Sequence, residues 1–365
     1  MTKARDIADN AGQGGGGGSK NLVINGAMQV AQRGTSSTGL GASSGYFTVD
    51  RFNPNFNSTA GRLTMTREAV TDLDGFTKCT KFACTTADTS IGASEYFILS
   101  HNIEGQNLQH LAKGTSSAKK VTLSFYVKGN AAATYVCELQ DNNSREISKS
   151  FSVTTDWTRV VLTFDGDTNS GGTIVNNNTT GIGIIWWLHA GSTFNSGNAG
   201  DLNTSWNAAG TGERAAGADS FFDSTSRTFF ITGVQLEVND KVTDFEHRSY
   251  EEEIAKCQRY YWNYLTLNNQ YQTMGNGSAY TATSAYINFD FPVQMRAEPT
   301  LGAAATNIRF YSNGGSSPAA SVNGDYGSVN NKRVNLVLAS SRTAGHAGFG
   351  FSESTVDRLY FDAEL

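Results

Sequence analysis

The sequence predicts a mainly β protein: an antiparallel jelly-roll β-sandwich, then a short helix, then a second, smaller β-sandwich domain. Three observations carry that expectation. Glycine is abundant at 39 residues and proline scarce at 4, with Ser, Thr and Asn spread throughout. These polar residues compete for backbone hydrogen bonds, and Gly costs about 1 kcal/mol in a helix interior, so long helices are disfavoured. Short segments alternate apolar and polar residues at period two, with turn residues between them. The chain's 365 residues suffice for two or three domains, each large enough to bury a core.

Four units follow along the chain: 1–20, 21–248, 249–262 and 263–365. In the first, MTKARDIADN is too short to hold a helix alone in water. The Gly run at 14–18 after it has no side chains to pack and acts as a flexible linker. A short polar end on a flexible tether reads as a docking peptide, with Lys3, Arg5, Asp6 and Ile7 as contact residues; a disordered terminus is the alternative.

The second unit carries the jelly roll. Strands are expected within 22–33, 45–54, 62–70, 119–129, 134–141, 157–166, 181–191 and 227–238. The clearest is 119–129, which puts Val121, Leu123, Phe125 and Val127 on one face. GIGIIWWLHAG at 181–191 is almost continuously apolar, as expected of a central strand buried on both faces or turned toward a partner. The polar stretch 193–219 is long for a loop, which points to a function or to ordering by a partner.

The third unit is a helix over 251–262. Ser249 and Glu252 make a capping box, and acidic residues fill the first turn. Tyr250, Ile254, Cys257 and Tyr261 fall at 4-3-4 spacing, an apolar stripe for packing on the sandwich or for a subunit contact. The fourth unit shows about five strands, among them 281–293 with Ala285, Ile287, Phe289 and Phe291 on one face. Asn313-Gly314 marks a tight turn.

Composition excludes several function classes. The net charge is −5 and the pI about 5.6, with no basic stripe, so nucleic-acid binding is not expected. No apolar run approaches the length of a membrane span, and residues 1–10 lack the features of a secretory signal. Cys79, Cys84, Cys137 and Cys257 fit no zinc pattern and read as small buried apolar residues. The five His are scattered without metal-ligand spacing, so no metal and no cofactor is expected. No catalytic motif occurs, and nothing in the spacing selects a carboxylate pair among Asp50, Asp165, Asp167 and Glu237. Sugar binding needs aromatic faces beside amides and carboxylates, and Trp186, Trp187 and Trp206 are the candidates. Adjacent Trp186 and Trp187 must point to opposite faces of a strand, one of them into the core. Trp206 stands in the long polar loop, where exposure is less readily explained by packing.

Several segments resemble a known group. NLVINGAMQVAQRGTS, SGYFTVDRF, VTLSFYVKG, TTDWTRVVLTF, FFITGVQLEV and TDFEHRSYEEEIAKCQRYY occur in that order, followed by FPVQMRAEPT and a final DAEL. Together with KARDIAD near the start, the series is similar to bacteriophage tail-fibre and virion structural proteins. The resemblance implies a jelly roll like that of carbohydrate-binding modules, an N-terminus attached to other virion proteins, and a homotrimer. It also implies a place on the virion after assembly in the host cytoplasm and release by lysis. The family has no agreed ligand; the expectation is a jelly-roll surface for host polysaccharide or for neighbouring virion proteins. A purely structural head-fibre, decoration or adaptor role and a polysaccharide depolymerase are the rivals. The expectation is no enzyme.

Overall fold

The computed structural model describes residues 20–264, 272–304, 307–353 and 358–365. Lys3, Arg5, Asp6 and Ile7 lie outside the described residues. The first twelve strands are β1 (Ser36–Leu40), β2 (Asn53–Asn57), β3 (Arg62–Ala69), β4 (Lys78–Thr86), β5 (Tyr96–Glu104), β6 (Val121–Gly129), β7 (Ala133–Asp141), β8 (Arg145–Val153), β9 (Thr158–Phe164), β10 (Thr180–Ala190), β11 (Asn207–Ala208) and β12 (Thr228–Glu237). They form two six-stranded sheets in the orders β1-β3-β4-β12-β6-β9 and β11-β8-β7-β10-β5-β2. Neighbouring strands in both sheets run antiparallel. This is the expected mainly β sandwich.

The core between the sheets follows from period two. Val121, Leu123, Phe125 and Val127 of β6 all face inward, opposite Ile182, Ile184 and Trp186 of β10. β10 lies between β5 and β7, so its apolar run is buried on both faces as the sequence implies. All four Cys are free and buried.

Segment 22–33, expected as a strand, is instead a series of turns, with Asn25 and Met28 at positive φ (61° and 57°). Its apolar residues still pack inward: Val23, Met28 and Val30 are fully buried. The segment runs beside the second half of β12, which β4 leaves unpaired. Leu22 N–H donates to the Leu236 carbonyl, and Val234 N–H donates to the Gly26 carbonyl. Gly26 is required there, because a Cβ would stand 2.1 Å from the Val234 carbonyl oxygen.

The helix α1 spans Tyr250–Gln258, and Ser249 Oγ accepts the Glu252 N–H at 3.2 Å as the capping box requires. It is shorter than expected, so Tyr261 is not on it. Tyr261 belongs to β13 (Tyr261–Asn263). Then follow β14 (Thr273–Thr281), β15 (Ser284–Asp290), β16 (Thr300–Ala304), β17 (Ile308–Ser312), β18 (Gly315–Gly327), β19 (Asn331–Leu338), β20 (Ala347–Ser352) and β21 (Arg358–Asp362). The fourth unit is a closed barrel, β14-β15-β19-β18-β17-β20, where a smaller sandwich was expected. Pairing of β14 with β20 closes it and removes both sheet edges. Its interior holds Met274, Ile287, Phe289, Phe310, Val334 and Leu336. Asn313 and Gly314, both at positive φ, turn β17 into β18.

A small sheet, β13-β21-β16, sits where barrel and sandwich meet. Here Arg51, fully buried, pairs with Glu364 and lies 3.5 Å over the Tyr260 ring. Arg33 lies 3.5 Å over the Tyr261 ring and pairs with Glu364 at 3.2 Å and Asp50 at 3.7 Å. Arg259 pairs with Glu104 at 2.8 Å, and Arg296 donates to the carbonyls of Asn178, Ala363 and Glu364. Burial opposes the Arg51 charge, but Glu364, Tyr46 and Tyr260 together outweigh it and hold the guanidinium ionised. Removing one member of a buried pair strands the other, at a cost of about 3–5 kcal/mol. Glu364→Gln should therefore lower stability by about 3 kcal/mol in urea unfolding, and a loss within experimental error would show that the junction does not depend on this charge.

Candidate functional site

An isolated sandwich would leave one face of its β8-β7-β10-β5 sheet open to a ligand. Here both ends of that face are covered. Over one end folds the long loop 193–219, which adds β11 to β8 and packs Phe194, Leu202, Ala215 and Ala216 on Val136, Ile185 and Trp187. Over the other end, Asn102 Nδ2 donates to the Leu365 carbonyl at 3.4 Å, and Glu104 is held by Arg259 and Tyr260.

The three tryptophans proposed from sequence therefore lie inside this arrangement. Trp186 is fully buried between the sheets against Phe52 and Phe125, and presents no face to solvent. Trp187 points to the opposite face, as strand geometry demands, but lies under the loop at 1% exposure. Its Nε1 donates to Glu138 Oε2 at 3.0 Å, and the Arg214 guanidinium stands 5.0 Å from its ring. Trp206 is half-buried rather than exposed. Its Nε1 donates to the Asp165 carbonyl at 2.7 Å, and its ring covers Lys113 Nζ at 4.1 Å.

The stripe offered as a subunit contact divides. Tyr250 is exposed and Ile254 half-buried, whereas Cys257 and Tyr261 are buried within the chain.

The acidic groups considered for catalysis each have partners within the chain. Asp50 is buried beside Arg33 and Gln32; burial pushes its pKa up to about 6. Asp165 pairs with Lys120 on the surface, and Glu237 accepts from Thr243. Asp167 is buried with Lys113 at 2.9 Å and Arg145 at 2.7 Å, and Lys113 also pairs with Asp141. Glu138 and Glu146 are adjacent and buried, but Arg214 bridges them, and Asn203 donates to Glu146 at 2.8 Å. Burial first, then the neighbouring Glu138, pushes Glu146 up to about 7. Both carboxylates are fully buried.

An accessible aromatic surface lies on the barrel. Tyr326 of β18 is 78% exposed and Tyr280 of β14 is 65% exposed. Tyr280 packs on Tyr286 of β15 with ring centroids 5.1 Å apart. Arg333 of β19 joins the line: its guanidinium lies 4.3 Å from the Tyr286 ring and 5.0 Å from the Tyr326 ring. Asp325 fixes Arg333 at 2.7 Å. Beside Tyr326 lies a shallow depression of about 510 Å³, lined also by Asn288, Asp290, Asn331 and Lys332. Aromatic faces, amides, a carboxylate and cations thus share one open surface. Sequence reasoning missed it by searching among the tryptophans. The available signal was Tyr286, a large aromatic out of phase with the inward Ala285 and Ile287.

No family model matches this chain, and no curated protein matches it. Among solved structures it is similar to a family 4 carbohydrate-binding module, at 10% identity and TM-score 0.30 over 60% of this chain and 99% of the other. It is also similar to a family 61 module in complex with β-1,4-galactotriose, at 11% identity and TM-score 0.28 over 60% of this chain and 100% of the other. A third likeness is to the enzymatically active domain of tailspike protein 4 of bacteriophage CBA120, at 10% identity and TM-score 0.31 over 60% of this chain and 22% of the other. No residue correspondence follows from likeness at this level.

The Lys113 cage makes a pH prediction. Burial raises the Asp167 pKa, but hydrogen bonds from Arg145 and Lys113 outweigh it and hold the group near 2, below its ordinary 3.8. A carboxylate with a depressed folded pKa stabilises the fold above its unfolded pKa and loses that contribution as pH falls through the folded value. Asp167→Asn should therefore destabilise at pH 7, and the difference from wild type should shrink between about pH 4 and pH 2. A difference constant with pH, read by denaturant titration, would contradict the ion-pair account.

Proposed function

We propose that this chain is a non-catalytic phage virion protein, a tail fibre or related surface fibre, whose barrel touches host surface polysaccharide. The observation that carries the adhesion reading is the open Tyr280–Tyr286–Arg333–Tyr326 line beside Asn288 and Asp290. Tyrosine gives a flat apolar face with a polar tip at little conformational cost, and neighbouring amides and charges fix the orientation of a hydroxyl-rich ligand. The virion assignment is supported by the resemblance of the segments running from 21 to 261 to phage fibre proteins. The non-catalytic reading is supported by the acids: Asp50, Asp167, Glu138 and Glu146 are buried in ion pairs.

Each exposed tyrosine contributes a small part of the contact, and affinity on a cell surface would come from several such sites acting together. Truncating a central aromatic anchor typically costs more than about 1 kcal/mol, near tenfold in affinity. Tyr326→Ala and Tyr280→Ala should each weaken binding of the full chain to bacterial surface polysaccharides on a glycan array about tenfold, with melting temperature unchanged. Wild-type protein that binds no glycan on the array and no bacterial cells would leave a purely structural virion role. Steady release of reducing ends would overturn the non-catalytic reading.

A further inference from the structure

We propose that Asp88, Glu95 and His189 form a binding site for a divalent transition metal of the zinc class, one that ties the β4–β5 loop to the end of β10. One ligand atom from each residue lies within 4.8 Å of the other two. His189 is fully buried, and its Nε2 points to Glu95 Oε2 at 3.8 Å; neither atom has a hydrogen-bond partner. A buried ring nitrogen without a partner costs the fold its full desolvation unless something fills the gap. The other ring nitrogen, Nδ1, is held by Ser220 Oγ at 2.8 Å, which fixes the ring; with the proton on Nδ1, the Nε2 lone pair is left for an ion. The edge of Phe222, at 5.3 Å between centroids, fixes the ring plane.

The carboxylates are arranged in the same way. Asp88 Oδ2 accepts from Thr59 Oγ1 at 2.9 Å and from Ala60 N–H at 2.8 Å, an outer layer of support for a ligand. Among the described residues, no Lys or Arg pairs with Asp88 or Glu95, so two acids in contact have no cation. The register of β10 on β5 slips between Trp187 and His189, a bulge that turns His189 toward Glu95. One imidazole and two carboxylates suit zinc, cobalt or manganese, whereas calcium takes six to eight oxygens. Zinc ligands stand at about 2.0–2.2 Å from the ion, so small side-chain rotations would close the trio around it. Glu95 is the solvent-facing member and gives the ion a way in.

The test uses the full chain, stripped with chelator and dialysed against Zn²⁺, Co²⁺ or Ca²⁺, with bound metal counted by mass spectrometry. The expected result is one Zn²⁺ per chain, a raised melting temperature, visible Co²⁺ absorption bands of a nitrogen–oxygen site, and no stoichiometric Ca²⁺. His189→Gln and Glu95→Gln should each weaken Zn²⁺ binding at least tenfold while retaining the β-sheet circular dichroism. Because a buried substitution can misfold the chain, the wild-type Co²⁺ spectrum stands as a separate readout. Less than one Zn²⁺ per wild-type chain, absence of the Co²⁺ bands, preference for Ca²⁺, or folded variants that bind as wild type would each overturn the site.

Discussion

The structure turns on one charged contact taken out of water: Arg51 and Arg33 against Glu364, stacked on Tyr260 and Tyr261. Two guanidinium groups and three carboxylates, Asp50, Asp362 and Glu364, meet where barrel and sandwich join. Burying such ions costs several kcal/mol each and is tolerated only when pairing and geometry are good. Arg is suited to this, with a planar fork for carboxylates and a face for aromatic rings. The contact works as a register device. It fixes where β13 and β21 meet and therefore how the barrel sits on the sandwich.

That placement decides what the sandwich can do. With the barrel's root over one end of the sheet and loop 193–219 over the other, the covered face becomes part of the support. Buried polar clusters maintain the cover: Arg214 bridges Glu138 and Glu146, and Lys113 gathers Asp141 and Asp167 under Trp206. The loop is polar in composition, yet its Phe194, Leu202, Ala215 and Ala216 face Trp187 and its neighbours. The open aromatic surface is then left to the barrel, where closure frees the outward positions of each strand from edge protection.

Much of this was legible in the sequence, where local periodicity decides the outcome. β6 and β10 follow from alternation and from a continuous apolar run, and the helix start follows from Ser249 and Glu252. Segment 22–33 misled because its apolar residues mimic a strand while Asn25 and Met28 adopt positive φ. β5 escaped notice because its outward positions, Ser100, Asn102 and Glu104, are polar in a strand whose cover comes from far along the chain. Barrel closure depends on Thr273 meeting Phe351, a pairing no local window contains. Trp186 and Trp187 alternate as strand geometry requires, but the loop that buries Trp187 is a tertiary contact. The Asp88–Glu95–His189 trio joins the β4–β5 loop to the far end of β10, so its spacing in sequence resembles no ligand motif.

The central claim is that recognition belongs to the barrel and support to the sandwich. Hydrogen–deuterium exchange of the full chain with and without bound surface polysaccharide tests it most directly. The account predicts added protection in 284–290 and 315–338, around Tyr286, Tyr326 and Arg333. Added protection confined to 134–141 and 180–190, with the barrel unchanged, would contradict it.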